Sequence, residues 1–263
     1  MERLPPFSRR TFLKALAATP FTTEPMATLL QEVPRREVRL RTTVLYYHAV
    51  STATLTTHAV SLIRRGVEPI SLERFNNNLK GIADDIGGTS MFMVTLDDGY
   101  YSQYNEVLRA VDNIERQTGK FVPVTFFVMT KFDGEQITED LEDDTPSFND
   151  GTRGHVYMDK GQIVDLIRRG HDIQNHTADH IPLTDISGDR LRAQVEVAEE
   201  KIDRLWELAE RERLVKAIAY PNGAYRGREA FIEETGLDLA FTTAPIIIQS
   251  SYRPFAIGRV TRP

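Results

Sequence analysis

Short apolar runs alternate with amphipathic stretches along most of the chain. The runs are rich in β-branched and aromatic residues and too short for a typical helix, so they predict β-strands. These predicted strands cover residues 43–50, 91–96, 122–129, 215–219, 239–242 and 255–260. Apolar residues three or four positions apart predict helices within 71–82, 104–114, 163–169 and 191–205, and another helix falls between 219 and 239. The alternation predicts parallel strands joined by helical crossovers, in a single α/β domain built on a sheet or a barrel.

Residues 1–41 lie outside this pattern, with five prolines and no clean periodicity. Within them, Ser8-Arg9-Arg10-Thr11-Phe12-Leu13-Lys14 resembles the twin-arginine export consensus at every specified position. The apolar stretch that follows is short and broken by Pro20, so a basic arm on a cytoplasmic protein is the alternative. We expect residues 1–41 to form an export signal and N-terminal arm, residues 42–263 to form the folded domain, and the protein to be periplasmic or extracellular.

Residues 131–154 interrupt the second half of the pattern. They are strongly acidic and show no apolar period, which predicts a long surface loop and suggests a lid. The negative charge suggests affinity for a cationic polymer.

Amino-acid composition excludes several classes of protein and several kinds of functional site. The chain has 263 residues, 41% of them hydrophobic and 27% charged, which is typical of a globular protein. A net charge of −6 argues against nucleic-acid binding, and no apolar run is long enough for a membrane span. Cysteine is absent, which excludes disulfides, thiol nucleophiles and thiolate metal sites. A metal would need His, Asp and Glu ligands, and the chain has six histidines.

Two adjacent aspartates, Asp97 and Asp98, follow the buried run at 91–96. The carboxyl ends of parallel strands are where α/β folds place their functional sites. Gly99 permits a sharp turn that can bring both carboxylates to one pocket. The alternative is an ordinary helix N-cap, for which aspartate is also favoured.

Two histidines, His176 and His180, lie four positions apart in a polar stretch. At that spacing on a helical turn they would face the same side and bind one metal ion. A carboxylate as third ligand leaves one position open, as in catalytic zinc sites. A third polar segment, Tyr220-Pro221-Asn222-Gly223, predicts a turn and by itself indicates no function.

Taken in chain order, these segments resemble the polysaccharide deacetylase family, also known as the NodB-homology group or carbohydrate esterase family 4. Thr95-Leu96-Asp97-Asp98-Gly99 is similar to its T-F-D-D-G motif, and residues 170–180 are similar to G-H-E-I-x-x-H-T-x-x-H. The turn at 220–223 is similar to Y-P-Y-G. The strand at 44–48 resembles the V-L-x-Y-H opening of the exopolysaccharide-processing branch. Further likeness lies at 124–128, 240–243 and 257–260.

The resemblance implies a distorted (β/α)7-type barrel that acts as a metal-dependent hydrolase on an acetylated polysaccharide. By position, Asp98, His176 and His180 match the family's metal ligands. Asp97 matches the base that activates a metal-bound water as nucleophile. The backbone N–H of Asn222 matches the oxyanion donor, and we expect Tyr220, Pro221 and Tyr225 to contact the substrate.

Two positions depart from the family pattern. Many members have an Arg that pairs with the base where this chain has Ala219, and many have a C-terminal histidine as general acid, whereas no histidine follows His180. We expect His48 to serve as the acid, with a structural strand histidine as the alternative. Arg259 either steadies Asp97 or the transition state, or forms a structural pair.

The ligand set is best suited to zinc, and cobalt, nickel or iron(II) fit the same residues. Two other functions remain open on the sequence. One is hydrolysis of a different C–N amide bond by the same fold, and the other is carbohydrate binding without catalysis. The substrate polysaccharide and the oligomeric state are not specified by these motifs.

Overall fold

The central sheet is made of short strands that follow one another through helical crossovers. A computed structural model of the chain describes residues 42–81, 89–130, 157–244 and 253–261, which belong to one compact unit. The strands are β1 (Thr42–Tyr47), β2 (Glu68–Pro69), β3 (Met91–Leu96), β4 (Val124–Val128), β5 (Asp172–Asn175), β6 (Ala217–Ala219) and β7 (Leu239–Phe241). The helices are α1 (Thr52–Arg64), α2 (Leu72–Leu79), α3 (Tyr101–Thr118), α4 (Lys160–Arg168), α5 (Gly188–Arg192), α6 (Ala198–Leu208) and α7 (Glu229–Glu234).

The sheet is parallel throughout, in the order β1-β3-β4-β5-β6-β7, with β2 paired to the beginning of β3. Every residue of β3 is buried, as expected for a strand covered on both faces. The alternation of apolar runs and amphipathic stretches therefore correctly predicted an α/β fold.

The C-terminal segment closes the sheet. Ile257 forms a parallel bridge to Phe241 of β7, and Val260 forms one to Leu45 of β1. Both edge strands are thereby joined through a single segment, and the result is a distorted barrel of the predicted (β/α)7 type. Residues 255–260, predicted as a strand, form isolated bridges instead of a continuous ladder, because each end pairs with a different neighbour.

Side chains alternate between the barrel interior and the surrounding helices. Inward residues such as Val44, Met93 and Phe127 form one apolar cluster, while their neighbours Leu45, Val94 and Phe126 pack against the outer helices. Helix α2 is different, since its apolar residues join the interior cluster (Leu72, Phe75 and Leu79).

Local signals explain where several helices begin. The hydroxyl of Ser51 caps α1 and that of Ser71 caps α2, and Asp159 and Gln162 form a reciprocal capping box at α4. Sequence analysis missed α1, although Ser51 was a usable signal for its start. The acidic loop predicted at 131–154 and the N-terminal arm predicted at 1–41 lie outside the described residues.

Candidate metal centre

The inward alternation of the strands directs four chemically active residues to one end of the barrel. In β3, Met91 and Met93 face the interior, and Asp97 continues that register past the end of the strand. By the same spacing, His48 follows β1, His176 follows β5, and Arg259 lies two positions beyond the inward Ile257. The carboxyl ends of these strands meet at one edge, where residues of distant sequence position come together.

Asp98 reaches the same pocket because the backbone reverses there. Its φ is 77°, and that of Gly99 is 78°. A Cβ atom on Gly99 would lie 3.1 Å from Cγ1 of Val128, so the strand β4 closely approaches this turn. A glycine is thus required by both conformation and space. The predicted sharp turn is confirmed, and it begins one residue earlier than Gly99.

Asp98, His176 and His180 converge on a common point. Oδ1 of Asp98 lies 3.3 Å from Nε2 of His176 and 3.4 Å from Nε2 of His180. One ligand atom from each residue falls within 4.8 Å of the other two. A tetrahedral ion with bonds of about 2.0–2.1 Å holds its ligand atoms roughly 3.3–3.4 Å apart, so two of the three separations match such a site.

The protonation pattern of His176 also suits a metal ligand. Its Nδ1 lies 2.8 Å from the carbonyl oxygen of Ala219, to which it donates, and this leaves Nε2 directed at Asp98. Within the described residues, the buried Oδ1 of Asp98 and Nε2 of His176 have no well-formed hydrogen bond. Buried polar atoms are seldom left unsatisfied, and a bound cation would satisfy both. The residues therefore fit a divalent metal ion.

The two histidines are not on a helical turn, contrary to the prediction. Residues 175–180, which we call the ligand loop, begin at the last residue of β5 and are irregular from His176 onward, with positive φ at Thr177 (68°) and His180 (57°). The amide oxygen of Asn175 accepts from the backbone N–H of Thr177 at 2.6 Å. The Thr177 hydroxyl in turn accepts from the N–H of His180 at 3.1 Å. These local bonds replace the helical ladder, and the reversal still brings the two rings to 4.8 Å.

Arg259 forms a two-point ion pair with Asp97. Its Nη1 and Nη2 donate to the two carboxylate oxygens, each at 2.6 Å, and both side chains are almost completely buried. The guanidinium also donates to Thr95 and to the carbonyl of Thr242, and it lies over the ring of Tyr46. Arg259 therefore pairs with Asp97, and its part in catalysis stays a prediction.

Charge at the site opposes the effect of burial. Burial favours the neutral form of Asp97, but the charge and hydrogen bonds of Arg259, aided by His176, hold the pKa of Asp97 below its usual value. Burial likewise opposes ionisation of Asp98, yet His176 and His180 lower the pKa of Asp98 to about 2. Both carboxylates are therefore ionised at neutral pH.

The pKa values of His176 and His180 shift in opposite directions. Burial would lower the pKa of His176, but the adjacent Asp97 and Asp98 outweigh it and raise the pKa. His180 is only partly buried, and desolvation together with the neighbouring His176 lowers its pKa. A lowered pKa keeps the His180 ring neutral, which is the form that binds metal.

His48 lies at this end of the barrel and is exposed. Its ring contacts that of Tyr46 edge-on at 5.3 Å. Gln103, which sequence analysis missed, donates to the carbonyls of both His48 and Asp97 at 2.6 Å. The role of His48 as an acid stays a prediction.

The turn at 221–223 follows β6 directly and so lies at the same end. Asn222 has a φ of 56°, and Gly223 packs so tightly against Thr243 that a Cβ would overlap its hydroxyl. The ring of Tyr220 is fully buried and its hydroxyl donates to the carbonyl of Phe255.

Tyr220, Pro221 and Tyr225 differ in burial. The side chain of Tyr220 packs in an apolar cluster. Pro221 is also buried, whereas Tyr225 is half-buried and Asn222 is exposed. Substrate contact by Tyr220, Pro221 and Tyr225 stays a prediction, as does oxyanion donation by the backbone N–H of Asn222.

Comparison with known proteins agrees with the fold and with the family resemblance. The family model described as polysaccharide deacetylase matches residues 85–239, more than half of the chain. No curated protein matches the sequence significantly.

Several solved structures share the fold. A deacetylase from Streptococcus pyogenes, PplD in complex with acetate, is 18% identical, with a TM-score of 0.63 over 83% of this chain and 90% of that one. IcaB from Ammonifex degensii is 19% identical, with a TM-score of 0.60 over 84% of this chain and 91% of that one. The BpsB deacetylase domain from Bordetella bronchiseptica is 16% identical, with a TM-score of 0.58 over 82% and 94%.

The barrel and the paired motifs at its carboxyl end thus define a deacetylase-type α/β fold. The chain belongs to the polysaccharide deacetylase family. In the described part of the chain, no helix combines the length and the apolar character needed to cross a bilayer.

Proposed function

We propose that this protein is a metal-dependent hydrolase that removes acetyl groups from an N-acetylated polysaccharide. One observation carries the proposal. The ionised Asp97, fixed by Arg259, lies directly beside the cluster of Asp98, His176 and His180. A proton acceptor next to a three-residue metal site with an open side is the arrangement that metal-assisted hydrolysis requires.

Each residue has a defined task in this reaction. Asp98, His176 and His180 would hold a divalent ion, zinc in our proposal, and when bound that ion would lower the pKa of water and polarise the acetyl carbonyl. Asp97 accepts the proton of the attacking water. Arg259 keeps Asp97 in place and ionised before the reaction, and its charge limits how strongly the carboxylate retains the proton.

The remaining steps use groups at the rim of the site. The backbone N–H of Asn222 donates to the oxygen that becomes negative when the carbonyl is attacked. His48 donates a proton to the departing sugar amine, because it is a histidine within electrostatic reach of Asp97 and Asp98. Its exposure leaves it accessible to a bound polymer.

The direct experiment measures acetate release from N-acetylglucosamine oligomers by the Zn²⁺-loaded protein. We expect release to stop on chelation and to fall by about 10²–10⁴-fold in Asp97→Asn, the range for losing a general base. Asp165→Asn, which alters a carboxylate on the outer helix α4 that pairs with Arg169, is the control. Full activity in a folded Asp97→Asn variant would contradict the proposal.

We also propose export by the twin-arginine route. The motif at 8–14 supports it, because a consecutive arginine pair followed by Phe12-Leu13-Lys14 matches the export consensus. We expect a reporter fused to residues 1–41 to be exported, and the double change Arg9→Lys with Arg10→Lys to keep it in the cytoplasm. Equal export of both fusions would contradict this route.

A further inference from the structure

The ligand loop is held from a helix that is distant in sequence. Between α5 and α6 the helix widens into a π turn, Ala193–Val197. The backbone carbonyl of Gln194 in this turn accepts from the N–H of Ala178 at 3.0 Å. The Gln194 side chain accepts from the N–H of Asp179 and donates to the Asp179 carboxylate, both at 2.9 Å. One residue therefore makes three hydrogen bonds to the segment between the two histidines.

A second attachment fixes the beginning of the ligand loop. The side chain of Asn175, fully buried, donates to the carbonyl of Val195 at 3.1 Å and to Glu199 at 2.9 Å. Glu199 is in turn paired with Arg213 at 2.7 Å. Because Asn175 also accepts from Thr177, its amide transmits the position of the helix to the residue after His176.

Together these bonds account for every backbone N–H from 176 to 180. Their acceptors are the Val128 carbonyl, the Asn175 amide, the Gln194 carbonyl, the Gln194 side chain and the Thr177 hydroxyl. Two residues in this stretch have positive φ, a conformation that non-glycine residues adopt only when their surroundings impose it. The imposed shape is what brings both imidazoles onto one carboxylate.

A π turn offers carbonyls that a regular helix would direct along its own axis, and such turns are frequent at functional sites. Here the two that bond outside the helix, those of Gln194 and Val195, both bond to the ligand loop. Gln194 is buried and touches neither the carboxylates nor the imidazoles of the metal cluster in any hydrogen bond of the described residues.

We propose that Gln194 is a positioning residue that sets the spacing between His176 and His180, and so tunes metal affinity through the ligand loop. The inference rests on the proposed function only in needing a metal at Asp98, His176 and His180. Removing an outer partner of a metal ligand typically costs about 10–100-fold in metal affinity.

The test measures binding of Co²⁺ to the metal-free protein by its visible absorption, with circular dichroism as the check on folding. Gln194→Met keeps the length of the side chain but removes both of its hydrogen bonds, and we expect about 10–100-fold weaker Co²⁺ binding and an altered spectrum. The matched control is Gln162→Met, which removes the glutamine of the capping box at α4. Co²⁺ binding in that variant should equal that of the parent.

A rescue separates positioning from general stability. Gln194→Glu alone sets two carboxylates against each other at Asp179, and we expect weaker binding. The new carboxylate still accepts from the N–H of residue 179, and adding Asp179→Asn supplies a side-chain amide that donates to it. The donor and acceptor roles of the two side chains are then exchanged, and affinity should recover. If Gln194→Met does not fold, the comparison of Gln194→Glu with the double variant still tests the proposal.

The outcomes distinguish two failures. If the parent binds Co²⁺ and a folded Gln194→Met binds it equally well, the role of Gln194 is wrong while the proposed function stands. Weaker binding that the double variant does not recover also overturns the positioning role. If the parent itself binds no Co²⁺, the metal-dependent function fails, and the inference fails with it.

Discussion

The two ends of β5 each carry a buried histidine, and the two behave in opposite ways. His171, at the amino end, contacts Phe121 and Phe126, and its Nδ1 accepts from the N–H of Val124. Burial, with Arg169 nearby, lowers its pKa to about 4. His176, at the carboxyl end, is as deeply buried, yet Asp97 and Asp98 raise its pKa.

Burial of a histidine alone therefore does not indicate a functional site. Burial beside groups of opposite charge does. At the amino end the neutral ring of His171 packs against aromatic side chains and accepts a hydrogen bond from the backbone N–H of Val124. At the carboxyl end the polypeptide brings together two carboxylates, two imidazoles and a guanidinium, at a cost in desolvation that only mutual pairing offsets. Such concentrations of perturbed groups are typical of functional sites.

The largest effect should come from breaking the metal cluster itself. Asp98→Asn removes the charge that both histidine ligands share, and we expect Co²⁺ affinity to fall by more than about 100-fold, since this loss exceeds that of an outer partner. His171→Gln changes the histidine at the other end of β5 and should leave Co²⁺ affinity unchanged. Equal losses in both variants would show that the two ends do not differ as described.

Next in size is the loss of the partner of Asp97. Arg259→Leu leaves a buried carboxylate unpaired, and we expect the free energy of unfolding to fall by about 3–5 kcal/mol in urea titrations. Arg204→Leu is the control, because Arg204 pairs with Glu207 on the surface and such pairs contribute about 1 kcal/mol or less. If both variants lost similar free energy of unfolding, the buried pair of Arg259 and Asp97 would contribute no more to stability than a surface pair.

The amino end of β5 should show its own pH dependence. The folded-state pKa of His171, about 4, lies below its unfolded value near 6.5, so the folded form binds fewer protons between these values. Stability from this group is fully present above pH 6.5 and is lost as pH falls towards 4, by at most about 3 kcal/mol. In His171→Gln the urea-derived stability should lose this component of its pH slope. An unchanged slope would mean that His171 is not held neutral.

The smallest effect concerns the turn that redirects Asp98. Gly99→Ala must adopt positive φ and push against Val128, and we expect a cost of about 1–3 kcal/mol. Gly66→Ala shares the positive φ but has no atom within 4 Å of the added Cβ, so its cost should be the conformational part alone, about 1 kcal/mol. Equal costs would exclude a role for the close approach of β4.

The apolar strands and most helices were predictable because burial imposes a visible period on the sequence. β5 is harder, since its inward residues Asp172 and Gln174 are polar and the strand is short. His176 and His180 were singled out by their spacing, and the family resemblance added Asp97 and Asp98 with their separate roles. Their mutual geometry could not follow from spacing alone.

Two features of the site depend on contacts between distant segments. The ligand loop is hydrogen-bonded to Gln194, which lies on a distant helix, and a local rule for histidines four apart wrongly gave a helical turn. Arg259 reaches Asp97 only because the C-terminal segment closes the barrel between β7 and β1. The sequence around Gln194 and around Arg259 contains no local pattern that predicts these contacts.

The most direct test of the account is to titrate metal-free protein with Zn²⁺ while measuring acetate release from N-acetylglucosamine oligomers. The account predicts that activity rises in proportion to added metal and saturates at about one ion per chain, because the described residues contain one such three-residue cluster. His176→Gln should abolish that rise, since it removes a ligand of the cluster. Acetate release that is independent of Zn²⁺, or that persists in His176→Gln, would contradict the central claim.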